Sequence, residues 1–224
     1  MMMSLRTRRG DGYESMTALY RSLPGEGNYS SVAEGSRASK VKLFAPHGGC
    51  IEPGTDAIVL ALAANEFDYF LFRGTRKKDC YRTLHVTSVH YDEPACLRLA
   101  REALLAVSVH GCESAESFLE IGGGNAPAAA SLGEHLGRKG YRIVVPPDGR
   151  RGEEGENFIN LCRSQGVQIE LSGGFRAELF PGFPRTDQRH PKMFGAFVAD
   201  LREWLLIAES TMPECPPSLL RPTS

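Results

Sequence analysis

The feature that most constrains the fold of this chain is an alternation of short apolar runs with longer amphipathic segments. A short apolar run bounded by turn residues is typical of a buried strand, whereas apolar residues at helical spacing predict a helix that packs on a sheet. The predicted strands are 41–46, 67–72, 84–89, 105–111, 141–146 and 166–172. The predicted helices are 55–65, 92–105, 126–139, 156–165 and 192–209. This order predicts an α/β fold in which helices cover both faces of a mixed, largely parallel sheet.

The alternating pattern indicates a single domain. A chain of 224 residues can bury a substantial core, and no internal repeat or linker interrupts it. Residues 1–36 are polar and rich in Ser, Gly, Arg and Glu, so we expect a flexible or partly ordered N-terminal segment. The domain itself is predicted over 37–209, and the Pro- and Ser-containing tail 210–224 is expected to be disordered.

Composition limits the partners and the location that we expect. The formal net charge is -1, so no overall charge attracts the chain to nucleic acid or to an anionic membrane. No apolar run is long enough to span a bilayer, and the basic N-terminus lacks the apolar stretch of a secretory signal. We therefore expect a cytoplasmic or otherwise intracellular protein, in which most of the six scattered cysteines are free thiols.

Three predicted strands end in side chains that can bind a metal ion or accept a proton. The first strand leads to His47, and Glu52 follows five residues later in a glycine-rich loop. The fourth ends beside His110, and the last carries Glu170. Because ligands of open α/β sheets bind beyond the carboxyl ends of the strands, these four side chains are expected to meet at one edge.

The four residues suggest a zinc-dependent hydrolase. Two histidines and one carboxylate, with an open fourth position, are the ligand set of many catalytic zinc sites. Glu170 could then take a proton from the attacking water and pass it to a leaving nitrogen. Each residue also has a simpler interpretation: a packed or surface histidine, a solvated loop glutamate at Glu52, or a structural ion pair at Glu170. Strand-end placement alone leaves both interpretations open.

Five segments carry a more specific resemblance. They are APHGGCIEPGT (45–55), LHVTSVHYDEP (84–94), VSVHG (107–111), the GGGN of EIGGGN (120–125) and GVQIELS (166–172). In this order they resemble the successive motifs of the poly-γ-glutamate hydrolase family, known from phages, bacteria and fungi. Because that family resembles zinc carboxypeptidases in its core, the resemblance implies a three-layer α/β/α fold with a zinc carboxypeptidase-like core.

The resemblance also implies an activity and a set of roles. It implies hydrolysis of γ-glutamyl amide bonds in poly-γ-glutamate or a related anionic peptide, with one Zn²⁺ per chain. The metal ligands would be His47, Glu52 and His110, and Glu170 would be the general base that activates a zinc-bound water. Whether cleavage is internal or terminal stays open, as does the oligomeric state.

One segment departs from the family pattern. Family members usually have Asn-Ile-x-Asn-Arg before the last strand, whereas this chain has NFINLC (157–162), with Leu161 in place of the arginine. An arginine there would suit a substrate carboxylate through its bidentate fork, so another arginine could replace it. The candidate substrate-binding residues are Asn157, Asn160, Arg163, Arg176 and His85.

Two alternative functions follow. Leu161 keeps open a carboxypeptidase or deacylase of the same chemistry that acts on a small acyl-amino acid. A catalytically silent binding protein that retains the fold is the third hypothesis, and it is less favoured because all four core residues are present.

Overall fold

A seven-stranded mixed sheet organises the described part of the chain, residues 12–184 and 189–213 of a computed structural model. The strands are β1 (Tyr29–Glu34), β2 (Val41–Gly49), β3 (Asp68–Gly74), β4 (Leu105–Cys112), β5 (Leu119–Gly122), β6 (Ile143–Val144) and β7 (Val167–Ser172). Their order across the sheet is β1-β3-β2-β4-β7-β5-β6. The pairs β3–β2, β2–β4, β4–β7 and β5–β6 are parallel, whereas β1–β3 and β5–β7 are antiparallel. The sheet is therefore mixed and largely parallel, as the sequence predicts.

Helices connect most of these strands. The α-helices are α1 (Met16–Ser22), α2 (Thr55–Ala63), α3 (Cys80–Leu84), α4 (Pro94–Glu102), α5 (Ala126–Arg138), α6 (Gly173–Leu179) and α7 (Pro191–Thr211). Two short 3-10 helices lie at Ser88–His90 and Phe158–Leu161. Among the helices within the described ranges, none has the length and apolar character required to cross a membrane.

The alternation of side chains along each strand creates two cores. In β2, Leu43 and Ala45 pack with α2, α5, α6 and α7 on one face of the sheet. Phe44 points the other way, into a second core with residues of α1, α3 and α4. Because successive strand residues face opposite sides, a sheet that is buried on both faces forms the middle of three layers. The predicted three-layer α/β/α fold is confirmed.

The same alternation directs polar residues of β7 to one face. Ile169 and Leu171 belong to the first core, so Gln168 and Glu170 face the opposite side of the sheet. Glu170 lies in register with His110 of the parallel neighbour β4. It also lies opposite Glu120 of the antiparallel neighbour β5. Polar side chains from three adjacent strands, β4, β7 and β5, therefore lie side by side near the carboxyl ends of β4 and β7.

The predicted strand 84–89 is wrong. The chain there leaves α3, continues without a strand partner and enters the 3-10 helix Ser88–His90. Leu84, Val86 and Ser88 are nonetheless buried in alternation with more exposed residues. This burial has the period of a strand, which explains the prediction, but it comes from packing an irregular segment against the second core.

Two other elements are much shorter than predicted, and five are additional: α1, β1, α3, β5 and α6. The predicted helix 156–165 contains only the 3-10 helix Phe158–Leu161, and the strand 141–146 is reduced to Ile143–Val144. Within the predicted N-terminal segment, α1 and β1 are formed, and β1 extends the sheet at its edge. Residues 1–11 of that segment and 214–224 of the predicted tail lie outside the described residues.

A buried ion pair joins β2 to β3. Lys42 Nζ donates to Asp68 Oδ2 at 2.6 Å, and the side chains are 4% and 0% exposed. The same carboxylate accepts from the backbone N–H of Arg37 at 2.9 Å and of Ser39 at 3.3 Å. Asp68 therefore satisfies a buried ammonium group and fixes the segment that leads into β2.

Replacing Asp68 with alanine should destabilise the protein strongly. The Asp68→Ala variant leaves the Lys42 charge buried without its partner, so the free energy of unfolding should fall by about 3–5 kcal/mol in urea denaturation. Glu102→Ala is the control, because it removes only the exposed pair with Arg98 and should change the free energy by at most about 0.5 kcal/mol. Equal urea midpoints for Asp68→Ala and the unmodified chain would contradict this account.

Candidate active site

The loop between β2 and α2 brings the side chains of His47 and Glu52 close together. Gly49 has φ +64°, and a Cβ atom there would lie 2.2 Å from the carbonyl oxygen of Gly74. Gly54 has φ +96° and approaches the Phe180 ring so closely that a Cβ atom would lie 2.5 Å from it. Both positions need glycine, because side chains are strained at positive φ and would collide here. The turn that they permit brings the Glu52 N–H to the His47 carbonyl at 2.7 Å.

Three possible ligand atoms converge beyond the strand ends. Nδ1 of His47 lies 3.0 Å from Glu52 Oε1 and 3.2 Å from Nδ1 of His110. Nδ1 of His110 lies 3.6 Å from Glu52 Oε2. Side chains from the β2–α2 loop and from β4 therefore form one compact cluster, as the sequence predicts for these three residues.

Backbone groups fix the orientation of the cluster. Nε2 of His47 lies 2.9 Å from the Val86 carbonyl oxygen, which can only accept, so Nε2 carries a proton and Nδ1 is the ring nitrogen that faces the cluster. The backbone N–H of Gly111 donates to Glu52 Oε2 at 2.9 Å. Burial by itself raises the pKa of the Glu52 carboxyl, but the adjacent His47 and His110 side chains hold that pKa well below its usual range. Glu52 is therefore an anion in this setting.

The spacing of the three residues fits a zinc ion. Tetrahedral ligands at the usual zinc distances lie about 3.3 Å from one another, close to the separations within this cluster. Zinc also prefers neutral imidazole nitrogen and carboxylate oxygen. The donor types and their separations therefore match the metal that the sequence suggested.

His85 lies against the same cluster. Its ring is 4.2 Å from that of His47 between centroids, and its Nε2 is 3.9 Å from Glu52 Oε1. Ligand atoms of His47, Glu52 and His85 all lie within 4.8 Å of one another. His110 Nδ1 lies closer to the Glu52 carboxylate than His85 Nε2 does, at 3.6 Å against 3.9 Å, and the His85 ring stacks on Tyr81.

The cluster opens into a cavity of about 740 Å³. The cavity is lined by the three candidate ligands and by Glu170, Asn157 and Arg176, among others. His85 also lines it, so the structure brings seven of the nine predicted site residues to one cavity. His47, His110 and Glu170 meet there because the carboxyl ends of β2, β4 and β7 lie at the same edge of the sheet.

Glu170 has the environment of a proton acceptor. The side chain is buried, and burial, followed by the charges of Glu52 and Glu120, raises the pKa of its carboxyl well above the usual range. Gln168 Nε2 donates to Glu170 Oε1 at 3.1 Å, and Asn157 Nδ2 donates to Gln168 Oε1 at 3.1 Å. Asn157 thus holds the Gln168 side chain, which in turn is hydrogen-bonded to the Glu170 carboxyl.

Arg176 is a fixed cation beside the cluster. Its Nη1 donates to the Pro53 carbonyl at 3.3 Å and its Nη2 to the Cys112 carbonyl at 3.1 Å. The guanidinium carbon lies 4.9 Å from the centroid of the Phe183 ring. Burial lowers the pKa of Arg176, and the nearby Glu52 opposes that effect. Gly111 makes room for this side chain, because a Cβ atom there would lie 2.5 Å from the guanidinium carbon.

Asn160 has a structural role. Its Nδ2 donates to the carbonyls of Gly152 and Glu154, each at 2.8 Å. Its Oδ1 accepts from the N–H groups of Gly124 and Gly166, each at 3.1 Å. Since the amide is fully used in holding three loops together and does not line the cavity, its position does not support the predicted substrate contact.

Arg163 lies at the other end of the sheet. Its backbone N–H donates to the Ala103 carbonyl at 3.2 Å, just before β4 begins, whereas the cavity lies where β4 ends. The structure therefore does not bring Arg163 to the site. Arg150, which no sequence pattern singles out, lines the cavity and pairs with buried Glu120. The acidic residue within the short apolar run of β5 was the one sequence signal for this pair.

A disulfide ties the ligand loop to α3. Cys50, between two candidate ligands, is bonded to Cys80, with Cα atoms 5.8 Å apart. The bond connects the ligand loop to the helix that carries Tyr81 at the cavity wall. Disulfides persist mainly in oxidising compartments, so this bond weighs against the expected intracellular location. The described cysteines that are free thiols, as predicted, are Cys96, Cys112 and Cys162.

The fold and the site define a class of protein: an α/β protein of hydrolase type, with side chains suited to metal binding and proton transfer at one sheet edge. The profile of the poly-gamma-glutamate hydrolase family matches residues 13–200. The chain belongs to the poly-gamma-glutamate hydrolase family, which confirms the resemblance noted in its sequence.

Similar proteins agree with this assignment. YndL of Bacillus subtilis (strain 168) is 34% identical over 145 residues, which are 63% of this chain and 57% of YndL. The chain thus spans less than two thirds of that relative. A structure of a bacteriophage poly-gamma-glutamate hydrolase superposes with a TM-score of 0.82 at 25% identity, covering 90% of this chain and 100% of the other. A zinc-free apo structure of YndL gives a TM-score of 0.82 at 28% identity with the same coverage.

Removing one candidate ligand should abolish stoichiometric zinc binding. His110→Ala leaves two protein ligands, so elemental analysis of zinc-dialysed protein should find well below one zinc per chain, against one for the unmodified protein. His90→Ala is the control, because His90 does not line the cavity. Full zinc occupancy in His110→Ala would show that the cluster is assigned wrongly.

Proposed function

We propose that this protein is a zinc-dependent hydrolase that cleaves γ-glutamyl amide bonds in poly-γ-glutamate or related peptides. The observation that carries the proposal is the convergence of His47 Nδ1, His110 Nδ1 and the Glu52 carboxylate within 3.0–3.6 Å of one another. Family membership supports the reaction class, and the zinc-free description of the YndL structure supports the choice of metal.

His47, Glu52 and His110 would hold one zinc ion per chain. When bound, zinc supplies Lewis-acid chemistry, which activates water and polarises a carbonyl group. The contribution of the protein is to hold the three ligands in place before the ion arrives. The Val86 carbonyl and the Gly111 N–H do so through direct hydrogen bonds.

Glu170 is the proposed general base. Its raised pKa suits a group that must take a proton from water near neutral pH and release it later. After the attack on the amide carbon, the same carboxyl returns the proton to the leaving nitrogen. Gln168, held by Asn157, keeps one carboxylate oxygen in a fixed position during both transfers.

Arg176 is proposed to stabilise negative charge on the substrate. Both Nη atoms are held by backbone carbonyls, so the cation is preorganised beside the cavity. A fixed positive charge in a partly desolvated site favours the charge that develops on a carbonyl oxygen during hydrolysis. His85 and the Tyr81 ring, which stack on each other, form a wall against which the substrate chain would pack.

The cavity gives no support to the alternative substrate that Leu161 suggested. Leu161 is 37% exposed and does not line the cavity, so the leucine does not reshape the described wall. Two arginines, Arg150 and Arg176, line the cavity instead, which favours an anionic substrate over a small apolar acyl group. Comparing hydrolysis of poly-γ-glutamate with that of N-acyl amino acids separates the two functions.

Replacing the proposed base should separate catalysis from metal binding. Glu170→Gln should retain one zinc per chain, while kcat on poly-γ-glutamate falls roughly 10²–10⁴-fold, because the amide cannot accept the proton. Glu116→Gln, which changes only an exposed partner of Arg142, should keep full activity. Unchanged kcat in Glu170→Gln would rule out this carboxylate as the base.

A further inference from the structure

Arg150 is the more exposed of the two arginines that line the cavity. Its Nε donates to Glu120 Oε2 at 2.9 Å and its Nη2 to Glu120 Oε1 at 2.7 Å. Its Nη1 has no protein partner among the described residues, and the side chain is 42% exposed. Arg176, by contrast, is buried and uses both of its Nη atoms on backbone carbonyls. Arg150 is therefore the cavity arginine with an exposed edge of its guanidinium group, whereas the remaining donors of Arg176 are buried.

Glu120 fixes the direction of that edge. The Glu120 carboxylate is 3% exposed and binds Arg150 in a side-on, bidentate arrangement. A bidentate pair holds the planar guanidinium group in one orientation, which a single hydrogen bond would not do. Glu120 is thus a positioning residue for Arg150.

Arg150 is also connected to the proposed base through two routes. Glu120 lies directly opposite Glu170 in the antiparallel pair of β5 and β7. The backbone carbonyl of Arg150 accepts from Gln168 Nε2 at 3.3 Å, and the same nitrogen donates to Glu170. Arg150 and the proposed base therefore line the same cavity, and Gln168 is hydrogen-bonded to both residues.

The chemistry of a γ-linked chain indicates what this edge would bind. In such a chain, the Cα atom bonded to each scissile nitrogen carries a free α-carboxylate. In an α-linked chain, that carbon carries another amide, except at the last residue. A cation beside the scissile nitrogen could therefore distinguish the two linkages.

We propose that Arg150 binds the free α-carboxylate of the leaving glutamyl residue and so selects γ-linked chains. This proposal rests on the proposed function and names a specificity-determining residue for it. The carboxylate accepts hydrogen bonds from the guanidinium edge that Glu120 leaves open.

Two matched substrates test the proposal with the full zinc-loaded chain. One is a γ-linked glutamyl oligomer, and the other is the same oligomer with its α-carboxylates converted to carboxamides. The unmodified protein should prefer the carboxylate form by roughly 10–100-fold in kcat/KM, the range expected for hydrogen bonds between charged groups. In Arg150→Gln this preference should disappear, mainly through a higher KM for the carboxylate form. Arg150→Lys, which keeps the charge without the fork, should restore part of it.

Arg151→Gln is the matched control. Arg151 is the neighbouring residue, has a similarly exposed side chain, pairs with Asp148 and does not line the cavity. Its substitution should leave the preference unchanged. The ratio of the two substrates on one protein preparation does not depend on the folded fraction, so partial misfolding of a variant does not obscure the result.

Two outcomes would overturn the proposal. If Arg150→Gln slows both substrates equally, Arg150 only neutralises Glu120. If the unmodified protein hydrolyses both oligomers at the same rate, no residue of the site distinguishes the α-carboxylate from the carboxamide. Hydrolysis of neither oligomer by the zinc-loaded, unmodified protein would instead refute the proposed function itself, and with it this inference.

Discussion

The convergence of three lone-pair atoms, from His47, His110 and Glu52, is the interaction on which the rest of the site depends. Such a cluster is unfavourable without a shared cation, because its members are all electron-rich and largely desolvated. The surrounding structure nevertheless enforces it. The Val86 carbonyl sets the tautomer of one imidazole, the Gly111 N–H fixes the carboxylate, and the disulfide closes the ligand loop against α3.

Charge balance links this cluster to substrate recognition. Three glutamates at the site, Glu52, Glu120 and Glu170, are buried, and two arginines face them. With every group charged, this set carries one net negative charge, and a divalent metal ion would make it positive by one. Metal binding would therefore both relieve repulsion among the buried carboxylates and prepare the cavity for an anionic chain.

Sequence patterns predicted the four central strands β3, β2, β4 and β7, the layers of the fold and the convergence of His47, Glu52, His110 and Glu170, but not β1 or β5. Strand periodicity and parallel connections determine which side chains meet at an edge. The strand prediction failed at 84–89. Buried and more exposed residues alternate there as in a strand, but the segment pairs with no other strand. Sequence patterns also missed Arg150, which approaches from an irregular loop whose path no local pattern specifies. Asn160 matched a motif, but it is used entirely in holding loops together.

The central claim, that these three residues form a zinc centre, is tested most directly by anomalous diffraction at the zinc absorption edge from crystals of the zinc-loaded protein. We expect one strong anomalous peak per chain within about 2.0–2.2 Å of His47 Nδ1, His110 Nδ1 and a Glu52 oxygen. A peak coordinated by other residues, or no peak at this cluster in protein that contains stoichiometric zinc, would contradict it.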